Sequence, residues 1–349
     1  MSKGIGIIGC GKIAQVRHIP EFAQNPDADI IGYYNPTRSR AEDMAARYGG
    51  KVYEDIASML ADPQIDAVVI SLANKVHAEV TVQALRAGKD VLCEKPMATT
   101  IEDCEAMVRE AEQAGRLLLI AQNQRLTQAH RAARRMIAEG AIGQVLTFRT
   151  TFGHSGPENW SINPGKGTWF FSRDAAVMGV MADLGIHKTD LIQYLLDRPV
   201  TGVSALLTTL DKTGEDGRPI GVDDNALCLF RMAGGVVGTM TASWTYYGAE
   251  DNSTIIYGTE GILRIYDDPA CALQWIRKDG SVEKLDVEPI QTNDNQTASG
   301  VADAFVEALE TRDEGLMSAR RVLPAMRAVF AAIRSSREGR YVPIPENGD

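Results

Sequence analysis

The stretch Gly4-Ile5-Gly6-Ile7-Ile8-Gly9-Cys10-Gly11-Lys12-Ile13-Ala14 decides how the chain is read. A short apolar run breaks into Gly9-x-Gly11-x-x-Ala14, which opens a helix, and a second β-rich run follows over 29–34. Glycine at the first position permits a tight strand-to-helix turn, and at the second it lets backbone approach a pyrophosphate. A small third residue lets the helix pack on the strand. The loop amides and the helix dipole then hold the anion. Glycine-rich turns also recur for packing reasons alone, so the strand–loop–helix–strand context is what carries the dinucleotide reading. Gly9, Gly11, Lys12 and Ile13 are the residues expected to line that site.

Working outward, β-rich runs alternate with helical stretches as far as residue 122, with strands expected at 4–8, 29–34, 67–71, 90–93 and 117–121. Helices are expected over 38–48, ending at Gly49-Gly50, and over 77–87, ending at Gly88. Several of the strands are apolar almost throughout, as in a parallel sheet covered on both faces. Beyond residue 123 the texture changes: a helix over 128–139, a strand over 144–153, an aperiodic loop over 154–168 and a helix over 181–196. Six β-rich runs follow between 203 and 277, separated by turn signals that make consecutive strands antiparallel neighbours, and helices over 301–309 and 317–336 finish the chain. The fold expected is α/β: an N-terminal Rossmann doubly wound parallel sheet over 1–122, and a C-terminal α+β domain with a large, mainly antiparallel open-faced sheet over 123–349. The C-terminal helix is expected to pack back on the first domain.

Composition bounds what such a chain does. Its 349 residues are 44% hydrophobic and 23% charged, which excludes disorder and suits two domains. With 36 Lys+Arg against 46 Asp+Glu the net charge is −10, and no basic tract offers nucleic acid or an anionic membrane a place to dock. The five cysteines, Cys10, Cys93, Cys104, Cys228 and Cys271, are odd in number and scattered, with no metal spacing among them. Reduced thiols, no apolar run approaching a membrane span and no leader pattern point to a soluble, cytoplasmic protein. Past the second strand stands Asn35, followed by Thr37, Arg38 and Arg40. An uncharged amide does not repel a ribose 2′-phosphate and a guanidinium pairs with one, which leans slightly from NAD toward NADP. The bland reading of Arg38 and Arg40, a solvated helix start, stands beside it.

Three linked pieces name a family: the glycine loop, Glu94-Lys95-Pro96 after the run 90–93, and Asp183-Leu184-Gly185-Ile186-His187 in the second half. In that order and at that separation they resemble the Gfo/Idh/MocA oxidoreductases of sugars and polyols, over essentially the whole chain. The resemblance implies a nicotinamide cofactor, NAD or NADP, a cyclic polyol or sugar as substrate, a cis Lys95-Pro96 bond, and homodimers or homotetramers through the C-terminal sheet. It also implies cofactor contacts from Leu72, Asn74, His77, Glu94 and Asn123, with Gln122, Asn123 and Arg125 in a domain-crossing segment that sets Arg125 near the substrate or nicotinamide. For His77 the alternative is a helix-start residue with no ligand.

The chemistry supports the resemblance independently. Lys95 ends a parallel strand, the edge where ligands bind in open α/β sheets, and its ammonium there stabilises charge developing on a substrate oxygen. Asp183 and His187 are i and i+4, so on a helix they share a face, and the carboxylate orients the imidazole as a general base. The same spacing suits two metal ligands, but no third ligand stands at zinc spacing, so no metal is expected. Gly185 between them leaves room for substrate or nicotinamide. In the aperiodic loop, His154, Glu158, Asn159, Trp160, Lys166 and Trp169 form either a polyol-reading wall or an oligomer contact. The reading is therefore a hydride-transferring dehydrogenase. Its rivals are a glycoside-cleaving enzyme that retains its nicotinamide and a non-catalytic sugar or nucleotide sensor.

Overall fold

The computed structural model of the chain describes residues 2–290 and 296–345. It divides into two compact units, Met1–Asn123 with Gln291–Leu323, and Gln124–Ile290 with Pro324–Asp349.

In the first unit six parallel strands, β1 (Lys3–Ile8), β2 (Ala28–Tyr34), β3 (Lys51–Val52), β4 (Ala67–Ile70), β5 (Asp90–Cys93) and β6 (Leu118–Ile120), lie in the order β3-β2-β1-β4-β5-β6. Every residue of β4, β5 and β6 is buried, the pattern of strands covered on both faces. The order reverses direction between β1 and β4, which places a crevice at the carboxyl ends of those strands. The helix Val301–Thr311 belongs to this unit: Phe305 meets Phe22 edge-on at 6.3 Å, and Glu21 accepts the backbone N–H groups of Ser299 and Ala302. Arg312 then clamps Asp90 at the start of β5 with bonds of 2.6 and 3.1 Å.

The second unit carries nine strands, β7 (Val145–Gly153), β8 (Val200–Thr208), β9 (Asn225–Met232), β10 (Val237–Ser243), β11 (Thr254–Gly258), β12 (Gly261–Asp268), β13 (Cys271–Arg277), β14 (Val282–Leu285) and β15 (Val342–Pro343). Their order is β14-β13-β12-β11-β7-β10-β9-β8-β15, antiparallel throughout except for the parallel pair β7 and β10. Burial alternates along β9, so one face is covered and the other open, and Leu206, Leu227 and Leu229 stand on the open face at 58%, 48% and 54% exposure.

One expected helix is built differently. Over 181–196 the chain makes a wide turn, Met181–Gly185, in which the Ile186 N–H reaches back five residues to the Met181 carbonyl, and only then the α-helix Ile186–Leu196. A second wide turn, Ala14–His18, follows the glycine loop, with the Ile19 N–H on the Ala14 carbonyl. Such turns insert one residue into the helical spacing and cluster at functional sites. Among the described residues no helix is long and apolar enough to cross a membrane.

Candidate active site

In the first unit, Gly9 stands at φ +101°, and a Cβ there would lie 2.3 Å from the Ser71 carbonyl oxygen, so only glycine fits between β1 and the end of β4. At Gly11 a Cβ would meet only that same oxygen, 3.9 Å away. The backbone thus faces open space where a pyrophosphate needs it, and Ala14 is fully buried beneath. The cradle fits a dinucleotide. Lys12 and Ile13 lie half-buried on its rim. Asn35 is turned inward: its Oδ1 accepts the Cys10 N–H at 2.9 Å and its Nδ2 donates to the Thr37 carbonyl at 2.9 Å. The amide therefore fixes the loop. Arg38 is exposed and pairs with Glu42 at 2.8 Å, and Arg40 is half-buried near Cys10.

Glu94 and His77 both have partners within the protein. The Glu94 carboxylate is buried and takes His18 Nε2 at 2.8 Å and Arg17 at 3.2 Å, both from the wide turn after the glycine loop. Its other oxygen accepts the Lys95 N–H at 3.0 Å. Burial alone would push this carboxyl up, but the His18 bond and the Arg17, His18 and Lys95 charges hold it well below the usual carboxylate range. The sequence sets His77 beside the cofactor; in the structure its Nδ1 lies 2.8 Å from the Pro96 carbonyl oxygen and its Nε2 3.1 Å from that of Leu72. Both ring nitrogens are thereby occupied at the starts of two loops. The Lys95-Pro96 bond is cis. Lys95 is half-buried, Asn74 is buried in the short turn Asn74–Val76, and Gln122 and Asn123 are buried just past β6.

In the second unit, Asp183 and His187 are both 6% exposed. Trp244, at the end of β10, donates from Nε1 to Asp183 Oδ2 at 3.1 Å. Asp223 holds the turn that carries Asp183, accepting the Gly179 and Met181 N–H groups at 2.9 and 2.8 Å. Aromatic contacts run from His187 to Phe152 at 5.8 Å, then to His154, Trp160, Phe170 and Trp244 at centroid spacings of 6.1, 6.3, 5.3 and 6.4 Å. Trp169 stacks on Phe170 at 4.0 Å. Through Trp244 the chain of rings returns to Asp183, so His154, Trp160 and Trp169 do share one cluster with the acid and the imidazole. Glu158, Asn159 and Lys166 line a cavity of about 620 Å³ with Asp211, Lys212 and Tyr247, and its wall includes Phe171, whose ring centroid lies 5.9 Å from that of Trp244. At Gly185 a Cβ would meet Met181 Sδ at 2.7 Å, so the missing side chain makes room for Met181.

Arg125 is gripped by Asp190, Nε to Oδ2 at 2.7 Å and the Nη2 nitrogen to Oδ1 at 2.6 Å, both side chains buried. This fork gives Arg125 a buried protein partner, where the sequence set it near the substrate. The sequence left Asp190 unassigned and missed Trp244, Asp223, Arg17 and His18. A signal existed for Trp244, because an indole ending an apolar strand brings a donor that must find a partner.

Comparisons with known proteins bear on the whole chain. Residues 3–122 match the model of the oxidoreductase family with an NAD-binding Rossmann fold, and residues 130–264 match the GFO/IDH/MocA C-terminal domain. Levoglucosan dehydrogenase of Pseudarthrobacter phenanthrenivorans is 32% identical, covering 74% of this chain and 72% of that protein. Inositol 2-dehydrogenase of Rhizobium meliloti is 25% identical over 99% of this chain and 100% of its own length. Among solved structures, levoglucosan dehydrogenase in complex with NADH and levoglucosan matches with a TM-score of 0.87 at 25% identity, covering 99% of this chain and 100% of that one. These relatives are dehydrogenases by name, which lends nothing to the glycoside-cleaving and sensor readings.

Proposed function

The chain belongs to the Gfo/Idh/MocA oxidoreductase family, and from that premise we propose that it is an NAD(P)-dependent dehydrogenase of a secondary hydroxyl on a cyclic polyol or sugar, or a reductase of the matching ketone. The observation that carries the reading is the ring of aromatic side chains closing on Asp183 and His187. Asp183 and His187 both border those rings, which suit the C–H faces of a sugar. Trp244 holds the Asp183 carboxylate, and Asp183 in turn orients His187, whose imidazole takes the hydroxyl proton. The Lys95 ammonium, on a backbone held through its own N–H by Glu94, is the group that stabilises negative charge developing on a substrate oxygen. The cofactor, when bound, exchanges the hydride with the carbinol carbon. Gly9, Gly11 and the amides after them hold its pyrophosphate.

Because no carboxylate ends β2 and the Asn35 amide is directed into the loop, a 2′-phosphate meets no like charge there, which favours NADP slightly. The open face of the second sheet, with Leu206, Leu227 and Leu229, supports a homodimer or homotetramer through that surface.

The test is a 340-nm assay of inositols, hexoses and anhydrosugars with both dinucleotides, on the wild type and on Lys95→Ala and His187→Ala. Each variant should lose about two to four orders of magnitude in turnover while its NAD(P)H dissociation constant, from fluorescence titration, shifts less than about threefold. Turnover that survives both substitutions refutes the assignment.

A further inference from the structure

We propose that His77 is a positioning residue for Lys95, holding the lysine's backbone in place through the Pro96 carbonyl; this rests on the reading of Lys95 as the charge-stabilising group.

Three observations converge on it. The Lys95-Pro96 segment is pinned from two sides, by Glu94 Oε2 on the Lys95 N–H at 3.0 Å and by His77 Nδ1 on the Pro96 carbonyl oxygen at 2.8 Å. The ring is 1% exposed, and its second nitrogen lies 3.1 Å from the Leu72 carbonyl oxygen. His77 therefore spans the loops that leave the neighbouring parallel strands β4 and β5. The Pro96 carbonyl is buried, and a buried carbonyl needs a donor, which the His77 ring supplies.

Carbonyl oxygens only accept, so a neutral imidazole donates to one of the two. We place the N–H on Nδ1, which faces Pro96 at the shorter distance. Burial above all, with the Lys95 charge, holds the ring below the usual histidine pKa against the two carbonyls and Glu94. The functional bond under either protonation state is the one to Pro96. Loss of that bond frees one of the two ends that fix the lysine's direction, and displacement of about 1 Å at a reacting group costs up to roughly a hundredfold in rate.

The experiment compares His77→Phe, which keeps a ring and removes the donor, with His77→Asn, whose amide nitrogen takes the place of Nδ1. Expected for His77→Phe is a fall in kcat of about ten- to a hundredfold, with KM and the NAD(P)H dissociation constant each within about threefold. His77→Asn should recover kcat to within about fivefold of wild type. Equal loss in both variants, a rise in the dinucleotide dissociation constant in both, or unchanged kcat per folded site in His77→Phe overturns the proposal. Reductive methylation of the intact protein, read by peptide mass spectrometry, separates this from the activity reading. Lys95 should label at least about threefold faster in His77→Phe and at the wild-type rate in His77→Asn, whether or not any sugar is turned over. Labelling of Lys95 that ignores His77→Phe also overturns the proposal, whereas a wild type inert on every substrate refutes the dehydrogenase reading alone.

Discussion

Replacing Lys188 by Met should make the protein more stable at neutral pH. The ammonium is 0% exposed, donating from Nζ to the Asn252 carbonyl oxygen at 2.8 Å, reaching Thr254 Oγ1 at 3.4 Å and lying 5.9 Å from the Phe152 ring centroid. Burial drives its pKa from the ordinary 10.5 down to about 7, with Asp251 and Glu250 opposing. Across that gap the buried charge disfavours the native state by about 1.4 kcal/mol per pH unit, on the order of 5 kcal/mol at pH 7. Met fills nearly the same volume but leaves the Asn252 carbonyl without its donor, at a cost of about 1–3 kcal/mol. The net gain is on the order of 2 kcal/mol for the variant. The sign of the pH dependence is fixed as well. Between pH 7 and 10.5 the unfolded chain binds this proton and the native state does not, so wild-type stability rises with pH and the variant lacks that slope. Urea unfolding of both proteins at pH 7 and pH 9 checks it: the advantage of Lys188→Met should be gone by pH 9. A variant less stable at pH 7, by an amount unchanged at pH 9, would refute the reasoning and make Lys188 a fully compensated cation.

The fork between Arg125 and Asp190 predicts that Arg125→Met or Asp190→Asn alone destabilises by about 3–5 kcal/mol, since each strands a buried charge. The double variant Arg125→Met/Asp190→Leu should recover most of that in the same denaturation assay. Gln122 is 1% exposed with neither amide atom bonded among the described residues, so Gln122→Met should raise the melting temperature of the cofactor-free protein, by about 1 kcal/mol in stability. A lower melting temperature counts against that account.

How much the sequence discloses depends on how local the cause is. The glycine loop, the strand alternation and the Glu94-Lys95-Pro96 motif are legible because each rests on a few contiguous residues, while the cis bond there comes only with the family resemblance. The spacing of Asp183 and His187 is legible, but the wide turn that carries Asp183 is not, because its support comes from Asp223 and Trp244, 40 and 61 residues away in sequence. Glu94 and His77 read as ligand contacts by motif alone. Their partners, Arg17, His18, Pro96 and Leu72, become visible only when parallel strands bring separate loops to one edge. The residues of the 154–168 loop divide between an aromatic cluster and a charged cavity, a division that no periodicity encodes.

The return of the helix Val301–Thr311 to the first unit has a consequence for biosynthesis. Phe22 and Asp90 wait for Phe305 and Arg312, so the nucleotide-binding unit cannot close when residue 123 leaves the ribosome. Roughly 200 further residues must be translated first, which at typical elongation rates is about 10–40 s. Over that interval the nascent parallel sheet is left without its closing helix, and by its end all strands of the second sheet but the short β15 have been made.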